Sequence, residues 1–480
     1  MNRLLFILAC CLATACAPSG PTPARHGVLV IVLDSLRGDR TSLLGYDRET
    51  TPFLDSLAEE SLVFERHYAV SPDVLPSHLS LLTGCDPRIA NRPVIPGFSG
   101  ENMFMPRSVP RLARTYLENG YRTAAFADSL GLSARHGFDA GFEEFVNFRE
   151  GDEIAEHDYG LVGVTIRFKN WLRRLDDDED WFAYLHVRDL ERIWKQEDPA
   201  NDRRFAPRPE LDFVPPLSAK GTSFYAVPRR CWNETPTTLG EYEARYEGNL
   251  RECDQSLGRI VSWLKRKGYW DTTTLVVTGT YGIAFGEGGF MLSGKTLAEG
   301  GLRVPWLVRP DPGLDVPVGI RIDQVTSAID LAPTLIELSG LRVPEGMHGI
   351  SHRDAVFGED ADLREHAFAA GGSFSGFAVM GKESHFTRQS RDSLAQPSLH
   401  RSYFGLDPTA ESAALEPISV EAVEPLTGSP LQLSPERLEE LTLAGQDWFR
   451  WIQKTRDVVQ GIDDDVETRT ELVRRGLLKD

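Results

Sequence analysis

The patterned part of the chain opens with Gly27-Val-Leu-Val-Ile-Val-Leu33, a run with no polar interruption. Such a run suits a strand buried on both faces. It ends in Asp34-Ser-Leu-Arg-Gly-Asp, and open α/β sheets place ligands at the C-terminal ends of such strands. Further strands are predicted at Leu62 to Tyr68, Tyr121 to Ala127, Trp181 to Val187, Thr274 to Thr278 and Leu302 to Arg309. Pro305 puts the last of these near an edge or bulge. Helical spacing fills the intervals. Thr51-Pro52 starts a helix carrying Leu54, Leu57 and Ala58. Ser108 to Asn119 forms another, stopped by Gly120. Leu239 to Arg266 is the longest, with Tyr246, Leu250, Leu257, Val261 and Leu264 on its core face. Asp323 to Leu338 also reads as helical, kinked or restarted at Pro333.

Strands and helices in this order predict an α/β fold. After about Leu363 the pattern weakens to short strands, a loop around Pro408 and a helix from near Ser434. That predicts a smaller C-terminal α+β subdomain over 363–480. The main domain is expected over 26–362. Within it, 189–236 is polar and proline-broken and reads as an irregular insertion near the site mouth.

Ser71 to Gly84 carries the densest chemistry. Its Pro-Ser turn runs into a short apolar helix ending at Gly84. Pro76 suits the first helical position, where its missing N–H costs nothing. The first-turn N–H groups of such a helix can hold an anion.

Charge narrows the partners. The 480 residues hold 52 basic and 71 acidic side chains, a net −19, which argues against generic nucleic-acid binding. Residues 1–15 read as an export signal, with Arg3 before an apolar core too short to span a bilayer. Leu-Ala-Thr-Ala-Cys16 resembles a bacterial lipoprotein cleavage box with Cys16 as the lipidated residue, and 16–25 reads as its tether. The expected location is the cell envelope (periplasm or outer membrane), lipid-anchored. Cys85, Cys231 and Cys253 remain in the folded part. An exported chain permits a Cys231–Cys253 disulfide; three buried thiols are the other reading.

The stretch Leu75 to Gly84 resembles the nucleophile turn of the sulfatases, in the alkaline phosphatase superfamily. Their pattern is Cys or Ser-x-Pro-Ser-Arg, or Thr-Leu-Pro-Ser-His in a related branch. Thr50-Thr51-Pro52, Gly120-Tyr121-Arg122-Thr123, Lys295-Thr-Leu with Glu299, and Leu302-Arg-Val-Pro305 resemble further family segments. The resemblance implies a central mixed sheet flanked by helices, and it implies a site. The nucleophile position falls on Val74, which has no heteroatom. The metal-ligand positions fall on Asp34, Ser35, Thr280 and Tyr281, where the family prefers carboxylates and histidine. Gly288 and Glu191 stand where the family has histidines. His78, His186, Lys295 and Arg303 are retained. Catalysis in the family needs a nucleophile and a cation, and calcium wants roughly six to eight oxygen ligands. The expectation is therefore a pseudoenzyme of hydrolase fold that binds a sulfated or phosphorylated ligand or a protein partner, with no cofactor. The alternative is a sulfuric- or phosphoric-ester hydrolase with a rewired Ca2+ site, using Ser71, Ser77 or Thr280 as nucleophile with Glu191 and Asp39 beside Asp34.

Overall fold

The computed structural model describes residues 25–90, 105–106, 108–129, 131–148, 160–191, 204–218, 226–232, 237–287, 290–292, 294–359, 364–371, 376–389, 419–423 and 432–463. The leader with Cys16, Gly288, and the segment around Pro408 lie outside them.

In chain order the strands of the main domain are β1 (Gly27–Leu33), β2 (Leu62–Tyr68), β3 (Arg122–Ala127), β4 (Glu144–Asn147), β5 (Trp181–Val187), β6 (Leu217–Ser218), β7 (Val227–Pro228), β8 (Thr273–Gly279), β9 (Trp306–Arg309) and β10 (Ile320–Ser327). Eight of them form one sheet in the order β10-β2-β9-β8-β1-β5-β3-β4, while β6 and β7 pair separately within the insertion. The large sheet is parallel except at β9, which runs antiparallel to β2 and β8. The helices are α1 (Pro52–Leu57), α2 (Val74–Thr83), α3 (Leu112–Glu118), α4 (Gly160–Leu172), α5 (Leu239–Lys267), α6 (Glu299–Leu302), α7 (Leu331–Leu338) and α8 (Arg353–Val356).

The uninterrupted run of β1 is explained by two cores. Leu29, Ile31 and Leu33 face α1, α4 and α5, whereas Val28, Val30 and Val32 face α2, α3 and α7. Successive strand residues point to opposite faces, and both faces are covered. Helix α5 starts with a capping box in which Thr238 and Glu241 exchange side-chain-to-backbone hydrogen bonds. It ends at Gly268, whose φ of 78° closes the helix in the left-handed region.

The C-terminal sheet contains β11 (Ala367–Ala370), β12 (Gly376–Met380), β13 (His385–Gln389) and β14 (Ser419–Val423), all antiparallel. Helix α9 (Pro435–Asp463) packs Leu441, Trp448 and Ile452 against Phe377 and Phe386. His385 ties this sheet to the main domain, with Nδ1 2.6 Å from Glu299 and Nε2 2.8 Å from the Leu297 carbonyl.

Several expectations are corrected. β9 lies inside the sheet rather than near an edge, because it begins after Pro305 and the ring never enters the ladder. Asp323 to Leu338 is not one helix. β10 and a short 3-10 turn precede α7, and Pro333 sits in the first turn of α7, where its missing N–H is not needed. Helix α2 starts at Val74, so Pro76 is its third residue, still in the first turn. Cys231 and Cys253, the latter on α5, are separate thiols buried in one core, and Cys85 is a third buried thiol.

Candidate functional site

Three adjacent parallel strands end at one level. Leu33 pairs in register with Val187 on β5 and with Gly279 on β8. The next residues, Asp34, Arg188 and Thr280, therefore emerge side by side. Backbone bonds extend the pairing one step further, from Asp34 N to the Val187 carbonyl at 3.0 Å and from Thr280 N to the Leu33 carbonyl at 3.3 Å.

Asp34 is fully buried and lies at the centre. The Thr280 hydroxyl donates to its Oδ1 at 2.7 Å. His186 Nε2 is 3.0 Å from Oδ2, and His78 Nε2, arriving from α2, is 3.4 Å from Oδ1. The two imidazoles meet edge to face with centroids 4.4 Å apart. His78 Nδ1 is 2.6 Å from the hydroxyl of Tyr184, two residues before His186 on β5. Arg188 Nε stands 3.9 Å from Asp34 Oδ2.

A second set lies beside the first. Tyr281 donates its hydroxyl to Glu191 Oε1 at 2.6 Å, and Arg188 Nε donates to Glu191 Oε2 at 2.7 Å. The Tyr281 ring lies over Gly294, where a Cβ would come within 2.3 Å of it. Val74 is half-buried and packs against the apolar cluster containing Tyr281, Leu297 and Leu302.

Electrostatics follow from burial. Desolvation alone would raise the Asp34 carboxyl, but the imidazoles of His186 and His78 more than offset it and hold the group well below the usual carboxylate range. Burial, with the adjacent His186, pushes His78 down to about 4 against the pull of Asp34. Burial and then the nearby carboxylates raise Tyr281 well above an ordinary phenol. Burial and the Asp34 charge do the same for Tyr184. Both tyrosines are therefore phenols at neutral pH.

The structure brings together Asp34, His78, His186, Thr280, Tyr281 and Glu191. Ser35 follows Asp34 directly and is buried, with its carbonyl accepting from Tyr246 at 2.8 Å. Lys295 is exposed and makes no ion pair with a described residue. Arg303 donates to the Glu65 carbonyl at 2.9 Å and sits 3.8 Å from Glu299, a structural arrangement. Asp39 is spent on Arg37 and Arg40, and the Ser77 hydroxyl on the Ser71 carbonyl. Sequence reasoning missed Tyr184 and Arg188. Both share a strand face with His186 by period-two spacing, and that spacing was the available signal.

A sequence profile of the sulfatase family matches residues 26–341. The chain belongs to the sulfatase family. Similar curated proteins include an ulvan-active sulfatase of Formosa agariphila, 23% identical over 72% of this chain and 68% of that one. Another is an N-acetylglucosamine-6-O-sulfatase of Bacteroides thetaiotaomicron, 22% identical over 76% of this chain and 77% of the other. Among solved structures, a phosphonate monoester hydrolase of Agrobacterium radiobacter superposes with a TM-score of 0.66 at 20% identity, covering 90% of this chain and 96% of that one. A putative sulfatase from Bacteroides thetaiotaomicron gives 0.64 at 17% identity, covering 93% and 96%. These likenesses match the mixed sheet and the small antiparallel C-terminal sheet. Within this sulfatase-family frame, Val74 is the first residue of α2, at the turn that resembles the family's nucleophile turn.

Proposed function

We propose that this sulfatase-family protein does not hydrolyse esters and acts as an exported binding protein, held at the cell envelope through Cys16, for a sulfated glycan. The observation that carries the reading is how the cation-facing positions are spent. Thr280 closes on Asp34, Tyr281 closes on Glu191, and Val74 offers no nucleophile. Calcium does not fit the donor set. One carboxylate, a hydroxyl and two imidazoles fall short of the roughly six to eight oxygens that calcium takes. No hydrolytic step is therefore assigned to it. The relatives named for sulfated-sugar substrates support a sulfated glycan as the ligand class. Among the described residues no helix is long and apolar enough to cross a membrane; the reading takes a lipid on Cys16 as the attachment.

The test pairs turnover with binding. The purified chain is incubated with aryl sulfate and aryl phosphate, with and without chelator. Its melting temperature is then read with heparan-type oligosaccharide and with the desulfated control. Expected are no turnover and a rise in melting temperature with the sulfated sugar alone, since a ligand that binds only the folded state stabilises it. Turnover that chelation abolishes and Asp34→Ala removes would instead establish a hydrolase with a rewired site. The clustering of His78 and His186 on Asp34 is the observation favouring that second reading.

A further inference from the structure

Four polar atoms at the heart of the site are buried without a hydrogen bond: Asp34 Oδ2, His78 Nε2, and both ring nitrogens of His186. The heavy atoms of Asp34 and the imidazoles approach to 3.0 and 3.4 Å, yet the ring N–H directions do not make hydrogen bonds. Buried polar groups in native proteins are nearly always satisfied, and a cluster of exceptions calls for an ion or water between them.

We propose that Asp34, His78 and His186 form a buried site for one zinc ion, tying β1, α2 and β5 together. This goes beyond the binding reading above and does not depend on it. One donor atom from each residue lies within 4.8 Å of the other two. Zinc bonds of about 2.0–2.2 Å place tetrahedral ligands roughly 3.3–3.6 Å apart; His186 Nε2 is 3.0 Å from Oδ2 and His78 Nε2 3.4 Å from Oδ1, so an ion on Oδ2 needs the imidazoles to shift within the 4.8 Å that spans the three donors. The chemistry of the donors selects the metal. Two imidazoles with one carboxylate suit zinc, whereas calcium and magnesium want oxygen.

The surroundings are arranged as metal ligands require. His78 can donate Nδ1–H to the Tyr184 hydroxyl, at 2.6 Å, which leaves Nε2 as a lone pair aimed at Asp34. An orienting bond of that kind fixes the tautomer of a metal-binding histidine. Thr280 holds Asp34 Oδ1 and leaves Oδ2 free to coordinate. Asp34, His78 and His186 are all fully buried, so a bound ion would exchange slowly. Three protein donors leave one coordination position over.

The experiment uses the full chain, purified without a metal-affinity tag, and reads metal rather than turnover. Elemental analysis should give about one zinc per chain. Replacement by cobalt should give the visible absorption of a tetrahedral N/O site. Prolonged dialysis against a strong chelator should lower the melting temperature; zinc should restore it and calcium should not. His186→Gln should lose the zinc and the cobalt absorption together. Should that variant fail to fold, the wild-type zinc content and cobalt spectrum decide alone. A folded chain with negligible zinc and no response to added zinc would overturn the site and leave a plain buried imidazole–carboxylate pair. Zinc retained by folded His186→Gln, or stabilisation by calcium alone, would overturn it equally. Ester turnover, present or absent, does not enter this outcome.

Discussion

Ser35 sits at a φ of 64°, in the left-handed region that L side chains rarely adopt. Its carbonyl accepts from Tyr246, whose hydroxyl in turn accepts from the Arg37 N–H at 2.9 Å. The turn aims Asp34 into the site while the chain moves away. Glycine carries no penalty there, so Ser35→Gly should keep or raise stability by up to about 1 kcal/mol. A β-branched residue is strained in that region, and Ser35→Val should lose about 1–3 kcal/mol in urea denaturation. Tyr184→Phe removes the hydroxyl that meets His78 Nδ1. That strands a buried polar atom and should cost about 1–3 kcal/mol by the same measurement. His67 gives a pH test outside the site. It is fully buried against Thr326, and burial pushes it from its usual 6.5 down to about 3. The unfolded chain takes up this proton near pH 6.5 and the folded chain only near 3. Stability should therefore fall as pH drops through that window. His67→Asn should make the decline measurably shallower in denaturation curves recorded across it.

At the level of elements, Gly445 in α9 tests propensity against packing. Alanine is favoured over glycine in a helix by about 1 kcal/mol. A Cβ at Gly445, however, would lie 2.1 Å from the Phe377 ring, which is itself buried. Overpacking of this kind costs about 1–3 kcal/mol and more when the neighbour cannot move. Gly445→Ala should therefore lower the melting temperature and expose α9 to limited proteolysis. The elements also show where pattern reading failed. β10 was hidden because its register shifts between Ile322 and Val325, which breaks the two-residue alternation and leaves a spacing that looks helical. By contrast β1 and α5 were legible, since one is an unbroken apolar run and the other a sustained helical face with its ends marked.

For the whole molecule, the central question is whether the positions around Asp34 can be made to hold calcium. Thr280→Asp would set a second carboxylate where a hydroxyl now lies 2.7 Å from Asp34. Two buried carboxylates repel without a cation between them. The variant should melt lower than wild type in chelator and recover with calcium, as read by thermal unfolding. Adding Tyr281→His and Val74→Ser should deepen the dependence on metal. A Thr280→Asp variant indifferent to calcium would mean these positions do not converge on one ion.

Local pattern determined the α/β class, the strand ends carrying Asp34 and Thr280, and the absence of a heteroatom at Val74, because each depends on residues adjacent in the chain. That His78 and His186 would converge on the Asp34 carboxylate was decided by tertiary structure. It depends on β5 pairing beside β1 in one register and on α2 packing across the strand ends. The pairing of Tyr281 with Glu191, 90 residues apart, has the same origin. Such contacts are set by register and packing between distant segments, so no local spacing encodes them.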